Sequence, residues 1–429
     1  MNPRTVVVTG VGLITGLGIG VEDCWAGMLA GLSAVRPIST YDPTPLTARL
    51  AAEIDDFEPL NYLSKRTLRT VNRGDQLAVA GARLALRDAG LPENDELGPR
   101  TGLFLGANKE ISRIDSLIEN LQQVRRPDGT ADLQALGEGS RTIVPPLFYV
   151  EGLQSASLFH ISQIHGIRGV NAFFAGTADA SSNAIGRAMR AIRRGDADVA
   201  LAGGSEDATG WWSMSKMDSL GVLTPDNGHG AAAFRPFDTG RSGAVLGEGA
   251  AILVLEERER ALARGARIYA EVSGYGAGND LASPPKPDRE GTGVRVSVAR
   301  ALDDAKIAPG ELDYVVGHGS ATRLGDLSEA HGLHAALGGE RTALSVIKPQ
   351  TGHLVGAAGA MNAAAAALSV HHGIALPILN LDTPDRRITG TTALDLVRGT
   401  VRETTIMHAL ALGRGLEGQS ASVVLSRAS

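Results

Sequence analysis

Short β-rich apolar runs alternate with helical stretches along this chain, and the series runs through twice. Residues 4–9 (RTVVVT), 101–106 (TGLFLG), 199–203 and 250–255 (AAILVL) read as strands. Residues 76–90 carry Leu77, Ala80, Leu84, Ala85 and Ala89 at helical spacing with Gly90 as stop signal. Residues 184–195 form a helix with Arg187, Arg190, Arg193 and Arg194 on its wet side. After a charged helix at 256–265 the series starts over. Strands at 268–275 and 312–317, helices at 293–305 and 327–337, an Ala-rich helix within 354–370 and a last strand at 421–425 complete it. Strands joined through helices specify an α/β fold with buried sheets. The expected halves are 1–256 and 257–429, the first with a capping excursion around 108–165. Inside that excursion, residues 122–146 are polar, hold Gly and Pro and lack a period, which fits either a cap over a site or a surface loop.

Composition bounds what such a fold can do. A chain of 429 residues, 43% hydrophobic and 21% charged, buries a large core and is not disordered. Its 54 glycines follow no G-X-Y period, so they belong to tight turns and close backbone approaches. A net charge of −6 with no long basic run argues against nucleic-acid binding. The single cysteine, Cys24, excludes an intramolecular disulfide framework and a Cys-based zinc site, and its early helix (DCWAGMLAG) makes it a structural thiol. The N-terminus reads as a first strand, not a signal peptide, and Gly356, Gly359 and Asn362 interrupt the most apolar window, so it reads as a buried helix. A soluble, cytoplasmic protein with no membrane partner is the expectation.

Two motifs resist functional readings. TGVGLITGLG follows a strand, but the third glycine of a dinucleotide fingerprint falls on Thr15, so a packing loop is the better account. The pairs His331/His334 and His371/His372 lack neighbouring carboxylates or cysteines at ligand spacing, so they read as solvated helix positions and no metal or other cofactor is expected. His318 and His353 differ. His318 lies in VVGHGSAT directly after an apolar strand, between Gly317 and Gly319; His353 lies in KPQTGHLVGAAGA with Lys348 five residues before it. Two histidines in glycine-framed turns, with a lysine nearby, make a candidate site.

These segments, together with VVVTGVGLIT, RRGDADVALAGGSED, RPFDTGRSGAVLGEGAAILVLEE and LNLDTPD, resemble the β-ketoacyl carrier-protein synthases (ketosynthases) of type II fatty-acid and polyketide systems over nearly the whole chain. The resemblance implies a thiolase fold: five layers, α-β-α-β-α, built from two similar βα halves, in subunits that dimerise through the central sheet. It also implies a Cys-His-His constellation with a supporting lysine. The cysteine takes the acyl chain at a helix N-terminus; the histidines stabilise the enolate formed as malonyl thioester loses carbon dioxide. His318, His353 and Lys348 match the retained positions, and Glu329 matches the carboxylate expected to pair with the lysine.

The departures matter as much. Ungapped counting from GRAMRAIRRGDADV places the nucleophile at Ala178, which cannot form a thioester. Leu416 stands at the gating position and Glu417 at a glycine of the tail loop, and Ala244 replaces a usual Phe. The resemblance therefore narrows to a chain-length-factor-like member, a partner that dimerises with an active ketosynthase, with a homodimer as alternative, and receives acyl chains from acyl carrier protein. Intact His318, His353 and Lys348 keep open a malonyl carrier-protein decarboxylase, although Gln is usual at the nucleophile position of such enzymes; another acyl transfer is the third reading. Arginines of RAMRAIRRG and QQVRRPDG are available to dock an acidic carrier protein.

Overall fold

The computed structural model describes residues 4–94, 96–108, 114–139, 147–281 and 286–428. The first half contributes β1 (Val6–Thr15), α1 (Arg73–Asp88), β2 (Thr101–Ala107), β3 (Asn171–Ala175), α2 (Ala178–Arg194), β4 (Val199–Asp207) and β5 (Leu246–Glu257). The second contributes β6 (Ala270–Asn279), α3 (Thr292–Ala305), β7 (Tyr314–Val316), α4 (Arg323–Ala336), β8 (Ala343–Ser345), α5 (Ala358–His372), β9 (His408–Arg414) and β10 (Gln419–Ser426). The strand order is β3-β2-β4-β5-β1 in the first half and β8-β7-β9-β10-β6 in the second, so each half repeats one topology. Parallel pairs sit at the β3-β2-β4 and β8-β7-β9 ends, antiparallel pairs at the other. β1 also pairs antiparallel with β6, Val7 opposite Glu271 and Val8 opposite Ala270, which joins the two sheets edge to edge.

Helices α2 and α5 touch both sheets and each other; α1 covers the outer face of the first sheet, and α3 with α4 the outer face of the second. This is the five-layered thiolase fold. The Ala-rich run of α5 fits its place: residues 358–370 are buried throughout, and small side chains let a helix enclosed by two sheets and another helix approach them closely. At its closest approach, a Cβ on Gly359 would lie 2.4 Å from the Ala178 carbonyl oxygen and 2.2 Å from Ser182 Oγ.

Several boundaries differ from the sequence expectation for physical reasons. The first strand does not stop at residue 9. Gly10 and Gly12 continue β1 because α1 lies across them: a Cβ on Gly10 would meet the Ala85 carbonyl oxygen at 2.3 Å, and one on Gly12 the Gly81 carbonyl oxygen at 2.1 Å. Those glycines mark a helix packed on a strand, not a loop. Helix 184–195 begins earlier, at Ala178. The excursion around 108–165 includes helices Ile114–Gln123, Leu133–Gly139 and Ala156–His165, while residues 109–113 and 140–146 of it lie outside the described residues. Among the described residues no helix is long and apolar enough to cross a membrane.

Candidate functional site

Three sequence segments far apart in the chain are tied into one wall by Arg241 of RPFDTGR, whose side chain is fully buried. Its guanidinium meets Asp385 of LNLDTPD at 2.8 Å and Asp326 at 3.4 Å, and it donates to the carbonyls of Thr322 and Arg323 at 3.3 and 2.8 Å. Asp326 accepts the N–H groups of Ala321 at 2.9 Å and Phe237 at 2.8 Å. Both residues hold positive φ, 56° and 63°, a conformation disfavoured for side chains with a Cβ, so the carboxylate holds strained backbone in place. Burial pushes Asp326 up to about 7 against the pull of Arg241.

The HGSAT loop leaves β7 on this wall. Its backbone is fixed by Glu329 on α4, whose carboxylate accepts the N–H groups of His318 at 2.6 Å and Gly319 at 2.7 Å. Lys348, buried to 2% exposure, donates from Nζ to the His318 carbonyl oxygen at 2.5 Å. The expected direct pairing of Glu329 with Lys348 is therefore corrected: the carboxylate satisfies two backbone donors, and the lysine takes the carbonyl between them. They act on each other through space, since Glu329 raises the lysine's pKa while burial lowers it further, to about 8. Asn362 of α5 donates to the Gly317 carbonyl at 3.0 Å and the Leu412 carbonyl at 2.8 Å, seating the same loop on the central helix.

His318 and His353 come together, ring centroids 5.2 Å apart and planes at 76°. His353 Nδ1 accepts the Val355 N–H at 3.0 Å, and His318 Nδ1 accepts the Arg414 N–H at 3.4 Å. A ring nitrogen that accepts is unprotonated, so each neutral imidazole carries its proton on Nε2. Burial and the Lys348 charge lower His353 to about 3, and burial with Lys348, His353 and Arg414 holds His318 well below its ordinary value. Both rings are thus neutral at physiological pH, each a fixed N–H donor.

They line one cavity of about 850 Å3 including its open mouth. Its polar lining includes Thr177, Ser320, Thr322, Arg414 and Lys286, and its apolar lining Met217, Val222, Leu223, Ala244 and Leu246. No carboxylate lines it among the described residues. Leu416, half-buried in the turn between β9 and β10, lines the mouth and donates its N–H to Thr177 Oγ1 at 2.9 Å, whereas Glu417 is exposed at the tip. Ala178, the first residue of α2 and next in the chain after Thr177, is fully buried in the apolar core and does not line the cavity. Cys24 does not line it either. Its thiol lies 3.2 Å from the Gly18 carbonyl and is pushed up to about 11 by burial.

Family models described as "Beta-ketoacyl synthase, N-terminal domain" and "Beta-ketoacyl synthase, C-terminal domain" match residues 3–261 and 269–382. The chain belongs to the β-ketoacyl synthase family. Ketosynthases named 3-oxoacyl-[acyl-carrier-protein] synthase 2 are 34% identical in Vibrio harveyi, over 100% of this chain and 99% of that protein, and 35% identical in Rhizobium meliloti, over 99% of each. The ishigamide ketosynthase/chain length factor superposes with a TM-score of 0.86 at 32% identity, over all of both chains. A ketosynthase in complex with its type II polyketide acyl-carrier protein superposes at 0.85 with 27% identity, again over all of both chains.

In this family member, three residues to which the sequence reading gave no site role are of consequence. Arg414, in the GRG of the tail loop, and Thr177, one residue before the counted nucleophile position, line the cavity. Asp179, beside Ala178, is 7% exposed; Asn183 donates to its Oδ2 at 3.1 Å, and its Oδ1 has no partner. Burial raises it to about 6. The arginines offered for docking do not converge on the mouth: Arg187 and Arg190 line a separate groove with Tyr275 and Arg300, and Arg193 pairs with Asp304. Arg125 and Arg126 are exposed, and Arg126 pairs with Asp132. Among the described residues no group of His, Cys, Asp or Glu is arranged to hold a metal.

Proposed function

We propose that this chain is a non-condensing ketosynthase-family subunit of a type II polyketide or fatty-acid system, paired with an active ketosynthase and shaping the space that measures carbon-chain length. The observation that carries this is the methyl of Ala178 at the N-terminus of α2, where the family resemblance places the nucleophile, together with a cavity that Cys24 does not line. Without a thiol no acyl-enzyme forms, so carbon–carbon bond formation by the covalent route falls to the partner. Acyl groups reach the pair on carrier protein in the cytoplasm, no cofactor takes part, and Leu416 with Glu417 forms the altered gate. Likeness to a ketosynthase/chain length factor supports the pairing. Expression with the ketosynthase encoded alongside tests it: a stable one-to-one complex whose product length changes with Met217 or Leu223 variants is expected. A self-sufficient homodimer indifferent to that ketosynthase refutes it.

A second reading is favoured by the histidines. Decarboxylation of a malonyl thioester breaks the bond to the carboxylate, releases carbon dioxide and leaves the electron pair as an enolate on the thioester oxygen. Two neutral Nε2–H donors are suited to that charge, and a solvent proton then completes the acetyl group. No thiol is required. Mass spectrometry of malonyl carrier protein incubated with this protein, beside His318→Ala, decides it: acetyl carrier protein from the parent but not the variant supports a decarboxylase, and no turnover by a folded parent removes it.

A further inference from the structure

The turn that carries Leu416 is fastened at both ends to one residue. At its start, the Arg414 guanidinium donates to Asp280 Oδ2 at 2.5 Å, Ser328 Oγ at 2.8 Å and the Gly325 carbonyl at 3.3 Å. At its end, the Gly418 carbonyl accepts the Asp280 N–H at 2.8 Å. The second carboxylate oxygen of Asp280 accepts the Gly293 N–H at 2.6 Å, where α3 begins. The Asp280 side chain is fully buried and that of Arg414 is 6% exposed. An ion pair this dry costs desolvation that a surface pair avoids, and either partner alone would be a stranded charge.

The same arginine reaches the histidines. Its side chain lines their cavity, and its backbone N–H is the donor to His318 Nδ1. A neutral imidazole has two tautomers, and the partner of Nδ1 selects between them. A proton on Nδ1 would face the Arg414 N–H donor to donor and leave Nε2 a bare acceptor, repelling a developing oxyanion. The bond is long at 3.4 Å, so it depends on where the chain is held. Two fastenings hold it there, the strand pairing of β9 and the clamp to Asp280.

We propose that Arg414 is a positioning residue for His318: its clamp to Asp280 fixes the amide that occupies Nδ1 and so holds the ring with Nε2–H toward the cavity. The ring is faced by Lys348, His353 and Arg414, with Glu329 bound to its backbone and Asp326 behind the loop. The proposal rests on reading the two histidines as donors. Its test reads the ring itself, so a failure of the decarboxylase reading is separately visible.

In protein labelled with 15N-histidine, the His318 signals are assigned by their loss in His318→Ala, and long-range proton–nitrogen correlations report the tautomer. The parent is expected to hold the Nε2–H form from pH 6 to 8. Arg414→Gln removes charge and clamp while keeping the amide; mixed tautomers and a titration midpoint raised by about one pH unit are expected. Asp280→Asn keeps the guanidinium but weakens the clamp; mixed tautomers without the upward shift are expected. Arg414→Lys should restore part of the parent pattern. A parent ring protonated on Nδ1, or folded Asp280→Asn and Arg414→Lys proteins with the parent's tautomer, overturns the proposal; those two variants carry the test if Arg414→Gln does not fold. Malonyl carrier-protein turnover measured on the same samples shows whether the ring is used: a held tautomer without turnover retains the clamp and removes the decarboxylase.

Discussion

Replacing Lys348 with Met tests whether a charge is really buried beneath the HGSAT loop. The folded-state pKa of Lys348 is lowered to about 8 from 10.5 because burial outweighs the attraction of Glu329 and Asp326. Between those values the unfolded chain binds more protons than the folded one, so this lysine makes stability rise with pH through that window; its benefit is complete above pH 10.5 and lost as pH falls through 8. From pH 7 to about pH 9.5 the expected gain is about 2 kcal/mol, at about 1.4 kcal/mol per unit once the folded lysine has begun to lose its proton. Lys348→Met removes that dependence while keeping similar volume. It also leaves the His318 carbonyl without its donor, so the neutral-pH offset mixes several effects, whereas the difference in slope does not. Urea unfolding of both proteins at pH 7, 8, 9 and 9.5, with the free energies subtracted, is the assay; titrating groups that do not sense the Lys348 charge cancel. Curves that stay parallel within about 0.5 kcal/mol would refute the argument that Lys348 is an ammonium in a dry site.

Ala178→Cys places a thiol at the N-terminus of α2, where the helix dipole favours thiolate; a slowly acylated protein is expected by mass spectrometry with acyl carrier protein, and a folded, unmodified variant counts against the assigned position. Asp179→Asn removes a carboxyl raised to about 6 from 3.8, a group whose stabilising effect is present below pH 3.8 and lost by pH 6. The variant should therefore be more stable than the parent at pH 7.5, by up to about 3 kcal/mol, and equal stability at that pH would be the contrary result. Gly359→Ala pushes a methyl to 2.4 Å from the Ala178 carbonyl oxygen, a backbone atom that cannot turn aside; a loss of about 3 kcal/mol or no soluble protein is expected, and a neutral effect would mean that α2 and α5 are not packed this closely. Arg241→Met strands Asp326 beneath the site wall, while Asp385 keeps Arg387 at 2.6 Å, and should cost about 3–5 kcal/mol by chemical unfolding, against about 1 kcal/mol if the pair were solvated.

Much of this was legible in the chain. Period and punctuation located the strands and helices because a buried strand needs an apolar run and a helix needs a face. His318 and His353 could be singled out because they lie in glycine-framed turns, with Lys348 five residues before the second. Ala178 is proposed as the vacant nucleophile position because the family resemblance, counted without gaps, places it there, and the one cysteine is elsewhere. What the sequence could not convey depends on contacts between residues far apart. Gly10 and Gly12 look like a loop until the backbone of α1 is laid across them. Glu329 looks like the lysine's partner until two backbone N–H groups claim its oxygens. The arginines of α2 suggest a docking patch until their face is seen to line a different groove. Local pattern determines which elements form and which chemistry they carry, since propensity and periodicity act within a few residues. The partner of each donor and the charge state of each buried group are decided only when the two halves close, because desolvation and hydrogen bonding depend on what arrives from across the fold.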